Sequence, residues 1–221
     1  MSTHPLIETE ARHYLQSRGI SIPEYRLATS PQEAVDHAKA LDFPVVLKIV
    51  SREIVHKSDV GGVRVNLRTA EEVAEAYGSI LSSVSERAPG AKIDGVLVAR
   101  HVENALEVII GATVDKQFGP VIMFGLGGIF VEVFKDVTFG IAPLSMPEAE
   151  SMVRDIQGYP LIKGVRGQSG KNEPALTNLL VQVSDLMMKD RDLAEVDLNP
   201  VLVTSEDAYI ADARIIITNR P

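Results

Sequence analysis

The chain has 221 residues, 45% of them hydrophobic and 24% charged, with a formal net charge of −8. An acidic balance argues against DNA or RNA as the main partner, because phosphate backbones are met by basic surfaces. The apolar content suits a soluble chain with a core of its own, and the lack of cysteine excludes disulfides and thiolate metal sites.

The opening stretch, MSTHPLIETEARHYLQSRG, has no basic segment followed by an apolar one, so no signal peptide is expected and a cytoplasmic location is the default. Within it Leu6, Ala11, Tyr14 and Leu15 predict a helix stopped at Gly19. SPQE, Ser30 to Glu33, is a capping box with proline at the first helical position, predicting a helix to about Leu41. Pro44 to Val50 is a β-branched strand and GVRVNL a second. TAEE, Thr69 to Glu72, caps a helix whose Val73, Ala76, Tyr77, Ile80, Leu81 and Val84 share one face. Pro89-Gly90 breaks the chain before a strand at Gly95 to His101.

Further on, Leu106 to Val114, Pro120 to Phe124 and Ile129 to Ile141 read as strands joined by Gly-rich turns. The most apolar run, Gly119 to Val131, is short and closed by Glu132, so it reads as core and not as a membrane span. SMPE, Ser145 to Glu148, caps a short helix. The loop KGVRGQSGKNEP leads to a helix with Leu176, Leu179, Leu180, Val183, Leu186 and Met187 on one face. Strands near Glu195 to Val203 and Ala208 to Thr218 close the chain. The pattern predicts an α+β fold: a small α/β lobe, then a larger, mostly antiparallel lobe, with a ligand cleft between them.

Four features carry chemistry. Alternation puts Val46, Lys48 and Val50 on one strand face, and a lysine among valines needs an anion, either a ligand phosphate or a structural carboxylate. GLGGIF, Gly125 to Phe130, either brings backbone N–H groups to a phosphate or makes a tight sheet turn; it is neither a P-loop nor a dinucleotide fingerprint. If TSED, Thr204 to Asp207, is a hairpin turn, facing positions sum to 411, as 199 and 212 do. Asn199 then opposes Asp212, and Asp197 opposes Arg214. The oxygen pair suits Mg²⁺; the alternative is a cross-strand ion pair beside an Asn–Asp hydrogen bond. His56 stands in EIVHKSDVGGV, where Gly61-Gly62 would let the loop move. It is either a solvated loop residue or a nucleophile toward phosphorus, since an unperturbed imidazole is mostly neutral at pH 7.

The segments FPVVLKIVSREIVHKSDVGGVRVNL, EVIIGATVDKQFGPVIMFGLGGIFVEVFKDVTFGIAPL, IKGVRG and EVDLNP…IADAR together resemble the ATP-grasp (beta) subunit of ADP-forming acetyl-CoA synthetases, within the NDP-forming acyl-CoA synthetases related to succinyl-CoA synthetase. The resemblance runs from about Gly19 to Thr218. It implies an ATP-grasp fold with a small lobe at 22–100 and a larger lobe at 1–21 and 101–221, closing on a nucleotide. It implies interconversion of acyl-CoA, ADP and phosphate with acid, CoA and ATP through phosphohistidine. A separate alpha subunit would hold the CoA domain and the first catalytic histidine, in an α2β2 heterotetramer.

By the same resemblance His56 ferries the phosphoryl group, Asp197 orients a phosphohistidine and Lys48 meets nucleotide phosphate. The strand through Ala99, Arg100, His101 and Val102 meets the base, Glu107 the ribose, and Gly125, Gly127 and Gly128 the phosphates. Asn199 and Asp212 hold Mg²⁺. Relatives commonly carry Glu and an apolar residue where this chain has Arg100 and His101, which leaves ATP against GTP open. Two other functions stay in view: a non-catalytic nucleotide-sensing module, and a ligase forming an acyl-phosphate without His56.

Overall fold

The computed structural model describes residues 2–54, 56–128, 136–165 and 169–219. The chain opens with β1 (Ser2–Pro5) and α1 (Glu8–Gln16), and Gly19 follows in the left-handed region at φ 83°. Both elements belong to the larger of two compact units, Met1–Ile22 with Glu103–Pro221; the smaller is Pro23–Val102.

The smaller unit contains β2 (Tyr25–Ala28), α2 (Pro31–Leu41), β3 (Val45–Val50), β4 (Val63–Leu67), α3 (Ala70–Arg87) and β5 (Gly95–Arg100). Its antiparallel sheet has the order β2-β5-β3-β4. Both helices start where their caps predict: the Ser30 hydroxyl accepts from the Glu33 N–H, and the Thr69 hydroxyl from that of Glu72. The glutamates reach one residue further back than a capping box requires. Glu33 accepts from the Thr29 N–H at 2.8 Å, and Glu72 from the Arg68 N–H at 2.6 Å. One face of the sheet, with Val45, Leu47, Ile49, Val96 and Val98, packs with Ala34, Ala38, Val73 and Ile80 of the helices into a single core. Period two puts Val46, Lys48 and Val50 on the opposite face, as the alternation predicts.

The larger unit adds β6 (Leu106–Asp115), β7 (Gly119–Leu126), β8 (Val137–Ile141), α4 (Met146–Arg154), α5 (Tyr159–Lys163), α6 (Glu173–Lys189), β9 (Leu193–Val203), β10 (Ala208–Ile210) and β11 (Ala213–Asn219). Of the strand predicted at Ile129 to Ile141, positions 129–135 lie outside the described residues. The antiparallel sheet runs β1-β11-β9-β6-β7-β8, with β10 also paired to β9. Ser145 caps α4 with a full capping box, and α6 buries the predicted stripe from Leu176 to Met187.

Val108, Ile110, Ile122, Phe124, Val196 and Leu198 are buried on one face of this sheet. That face carries α4: Thr138, which pairs with Phe124, donates its hydroxyl to the Met152 carbonyl at 2.9 Å. The other face holds Glu107, Gly111, Met123, Gly125, Asp197 and Arg214, by the same registers. Among the described residues no helix is long and apolar enough to cross a membrane.

Candidate functional site

In the smaller unit, Lys48 stands opposite Leu97 of β5 and Val63 of β4 and is only 8% exposed. A buried ammonium requires anionic or hydrogen-bonding company. Ala99 pairs with Val46 and so shares the face of Lys48. Arg100 ends β5, exposed, and the His101 N–H donates to the Pro44 carbonyl at 2.9 Å, which ties the chain to this sheet up to Val102.

His56 is exposed in the connection from β3 to β4. The chain beyond it is pinned. The Gly61 N–H donates to the Ser58 carbonyl at 3.0 Å, the Gly62 N–H to the Lys57 carbonyl at 2.7 Å, and the Ile49 N–H to the Gly62 carbonyl at 2.8 Å. Arg64 and Arg87 bond the carbonyls of Gly61 and Asp59 at 2.9 and 3.1 Å.

The structure gives the Gly61-Gly62 pair a packing role beside the loop freedom expected of it. Gly61 sits at φ 67°, where a side chain is strained. A Cβ at Gly62 would stand 2.4 Å from Ile49 Cγ2 and 2.9 Å from the Lys57 carbonyl oxygen. The pair lets the loop close tightly at its base. Gly62→Ala is expected to lower stability by about 1–3 kcal/mol, since both obstacles belong to packed main chain or core. Urea unfolding of the variant against wild type measures it.

In the larger unit the register of the last hairpin is the predicted one. Ala213 pairs with Leu198 and Arg214 with Asp197, and beyond the break at Ala211 and Asp212, Ile210 pairs with Val201. Each pair sums to 411, and the four-residue loop is closed by the Thr204 N–H on the Asp207 carbonyl. The Asn199 N–H donates to the Asp212 carbonyl at 3.2 Å, so the two residues are opposed. On its other edge β9 pairs with β6, and there Asn199 and Pro200 together face Ile109 alone. Such a bulge redirects the side chain it carries. Asp197, half-buried, faces Gly111, over which the Met123 side chain packs: a Cβ at Gly111 would stand 3.2 Å from Met123 Cε.

Glu107 and the glycine turn are brought together. The Gly127 N–H donates to the Glu107 carbonyl at 2.7 Å, and a Cβ at Gly128, where φ is 63°, would lie 3.3 Å from Glu107 Oε2. Gly127 thus has its N–H engaged within the sheet. At Gly125 a Cβ would come within 2.6 Å of the Asp136 carbonyl oxygen. Close packing accounts for glycine at 125, inside β7, and at 127, a reason distinct from both a phosphate contact and a tight turn.

Asn199 and Asp212 offer an amide and a carboxylate oxygen, the donor types that Mg²⁺ takes while filling its shell with water and phosphate oxygens. Among the described residues no group of three or more His, Cys, Asp or Glu side chains could hold a metal ion. One residue that motif reading leaves out is Arg12. Its only sequence signal is a charged pair, Glu8 and Arg12, on the buried stripe of α1 with Ala11 and Leu15.

A family model described as an ATP-grasp domain matches residues 2–217. The chain is 42% identical, over 96% of its length and 92% of the relative's, to the acetate–CoA ligase [ADP-forming] I subunit beta of Pyrococcus furiosus. It is also 42% identical to the acetate–CoA ligase [ADP-forming] I of Archaeoglobus fulgidus, but spans 31% of that longer protein. Among solved structures, it matches acetyl-coenzyme A synthetase 1 of Ca. Korarchaeum cryptofilum in complex with coenzyme A, Ca-AMPCP and HgCl+. That match has a TM-score of 0.93 and 46% identity, covering 97% of this chain and 93% of that one. A second structure of that enzyme, with coenzyme A and Mg-AMPPCP and its phosphohistidine segment pointing towards the nucleotide binding site, matches at TM-score 0.83 and 43% identity, covering 96% and 92%.

Proposed function

This chain belongs to the ATP-grasp family, among the beta subunits of ADP-forming acetate–CoA ligases, and from that premise we propose that it is the nucleotide-binding subunit of such an acid–thiol ligase. The reaction is acyl-CoA, ADP and phosphate to acid, CoA and ATP, in either direction, with the phosphoryl group carried on histidine. The geometry that carries this reading is the 411 register, which opposes the Asn199 and Asp212 oxygen donors and leaves Asp197 beside them on the same sheet face as Glu107.

Each residue then has a physical task. Lys48, buried on its strand, neutralises phosphate charge. Glu107, held against the Gly127 turn, accepts hydrogen bonds from ribose hydroxyls. The main chain of Ala99 to Val102 meets the base. A ring nitrogen of His56 attacks the γ-phosphorus of ATP; the N–P bond forms as the P–O bond to ADP breaks, and ADP leaves. Asp197 accepts a hydrogen bond from the other ring nitrogen of a phosphohistidine and so fixes its tautomer. Bound by Asn199 and Asp212, Mg²⁺ would neutralise the phosphate oxygens.

The word "beta" in the relatives' names, and the longer single-chain relative of which this sequence spans 31%, support a partner chain. That partner is an alpha chain carrying the CoA domain and the first catalytic histidine, in an α2β2 assembly. Acyl-CoA synthesis is therefore expected only when alpha and beta chains are combined, with light scattering giving the mass of a heterotetramer. Turnover by this chain alone at the rate of the mixture would reject the subunit assignment.

A further inference from the structure

We propose that Arg12 is a positioning residue for the metal carboxylate Asp212, acting through the main chain of Ala211, an inference that rests on the metal-site reading above. Arg12 is 1% exposed and Glu8 5%, although both are charged. They lie one helical turn apart on α1, and Arg12 donates from Nε and Nη2 to Glu8 Oε1 at 3.0 and 2.9 Å. The same Nη2 also donates to the carbonyl of Ala211.

Taking two charges out of water costs several kcal/mol per ion, so a buried pair is weak support for stability and asks for another purpose. The target of this one is specific. Ala211 and Asp212 form the break between β10 and β11, where the ladder gives them the least regular support. On the β9 side their N–H groups both donate to the Pro200 carbonyl, at 3.0 and 3.4 Å, and the Asp212 carbonyl accepts from Asn199. Away from that ladder, Arg12 grips the Ala211 carbonyl. The peptide that leads into Asp212 is thus clamped from two directions, and Glu8 holds the guanidinium at its angle. A planar guanidinium bonds a carboxylate and a carbonyl at once; an ammonium is a point charge without that fork. Groups that orient metal ligands in this way usually matter 10–100-fold in metal affinity.

The test is Mn²⁺ binding to the full chain in the presence of ADP, followed by electron paramagnetic resonance, with melting temperatures measured alongside. Glu8→Leu/Arg12→Met replaces the buried pair with apolar groups of similar size, which usually preserves folding. The double variant should bind Mn²⁺ about tenfold more weakly, with ADP binding in EDTA unchanged. Arg12→Lys keeps a positive charge beside Glu8 without the fork and should lose about threefold, between wild type and the double variant; it decides the matter if the double variant does not fold. Folded variants that hold Mn²⁺ within twofold of wild type would overturn the proposal. Asp212→Ala in the same titration separates the two claims. If it too binds Mn²⁺ normally, the metal-site reading fails and this inference with it; if it alone loses Mn²⁺, only the role of Arg12 fails.

Discussion

Changing His56 to alanine is expected to reduce acyl-CoA synthesis, assayed with the alpha chain, by at least about 1,000-fold, the scale on which enzymes lose rate when a nucleophile is removed. The same variant should keep its fold and its nucleotide affinity. His56 is exposed, and its neighbours hold the loop through main-chain bonds at Lys57, Ser58, Gly61 and Gly62 that an alanine at 56 does not touch. An exposed substitution of this kind changes stability by no more than about 0.5 kcal/mol. Calorimetry of ADP binding and a thermal melt therefore separate a lost nucleophile from a damaged loop. Full turnover by the alanine variant would return His56 to an ordinary solvated residue, and would favour the acyl-phosphate route, which needs no histidine here.

Asp212→Ala should lower turnover by about 100-fold or more, since direct metal ligands matter at least as much as the groups that orient them. Folding should survive, because two bonds at residue 212 come from its main chain, its N–H to Pro200 and its carbonyl from Asn199. Alanine keeps both. Asp212→Asn retains an oxygen donor without the charge and should fall between the two. The measurement is activity against Mg²⁺ concentration, with EDTA to establish the requirement in wild type. If the midpoint of that titration does not move in Asp212→Ala, the opposed pair is a cross-strand hydrogen bond and nothing more.

Much of this arrangement can be read from the sequence, because period two and a single hairpin turn are strong constraints. The turn at Thr204 to Asp207 is enough to set 411 as the sum of facing positions, and every pair of β9 with β10, and of β9 with β11 as far as Ile216, obeys it. Lys48 is likewise legible, since alternation alone puts it on the face away from the helices. The helix starts follow from Ser30, Thr69 and Ser145, each a side-chain oxygen ahead of a free N–H.

Other features are invisible in sequence for identifiable reasons. β1 pairs with β11 across almost the whole chain, and a four-residue strand with a distant partner leaves no local pattern. β2 is as short, and α5 has only five residues. Glycine carries two meanings, a free backbone or a close neighbour, and sequence cannot tell them apart. At 62, 125 and 127 it is the neighbour that decides. The β6–β9 bulge at Asn199 and Pro200 is a property of two strands together, and the grip of Arg12 on Ala211 joins residues 199 positions apart.

The central claim, that this chain takes the phosphoryl group of ATP onto His56, is tested most directly by locating the phosphate. The chain with its alpha partner is incubated with γ-labelled ATP and Mg²⁺, quenched in base, and digested for mass spectrometry. The account predicts an acid-labile, base-stable label on the peptide containing His56, absent from the His56→Ala variant and discharged by added ADP. Label on the alpha chain alone, with full exchange into ATP and none at His56 at any time point, would contradict it.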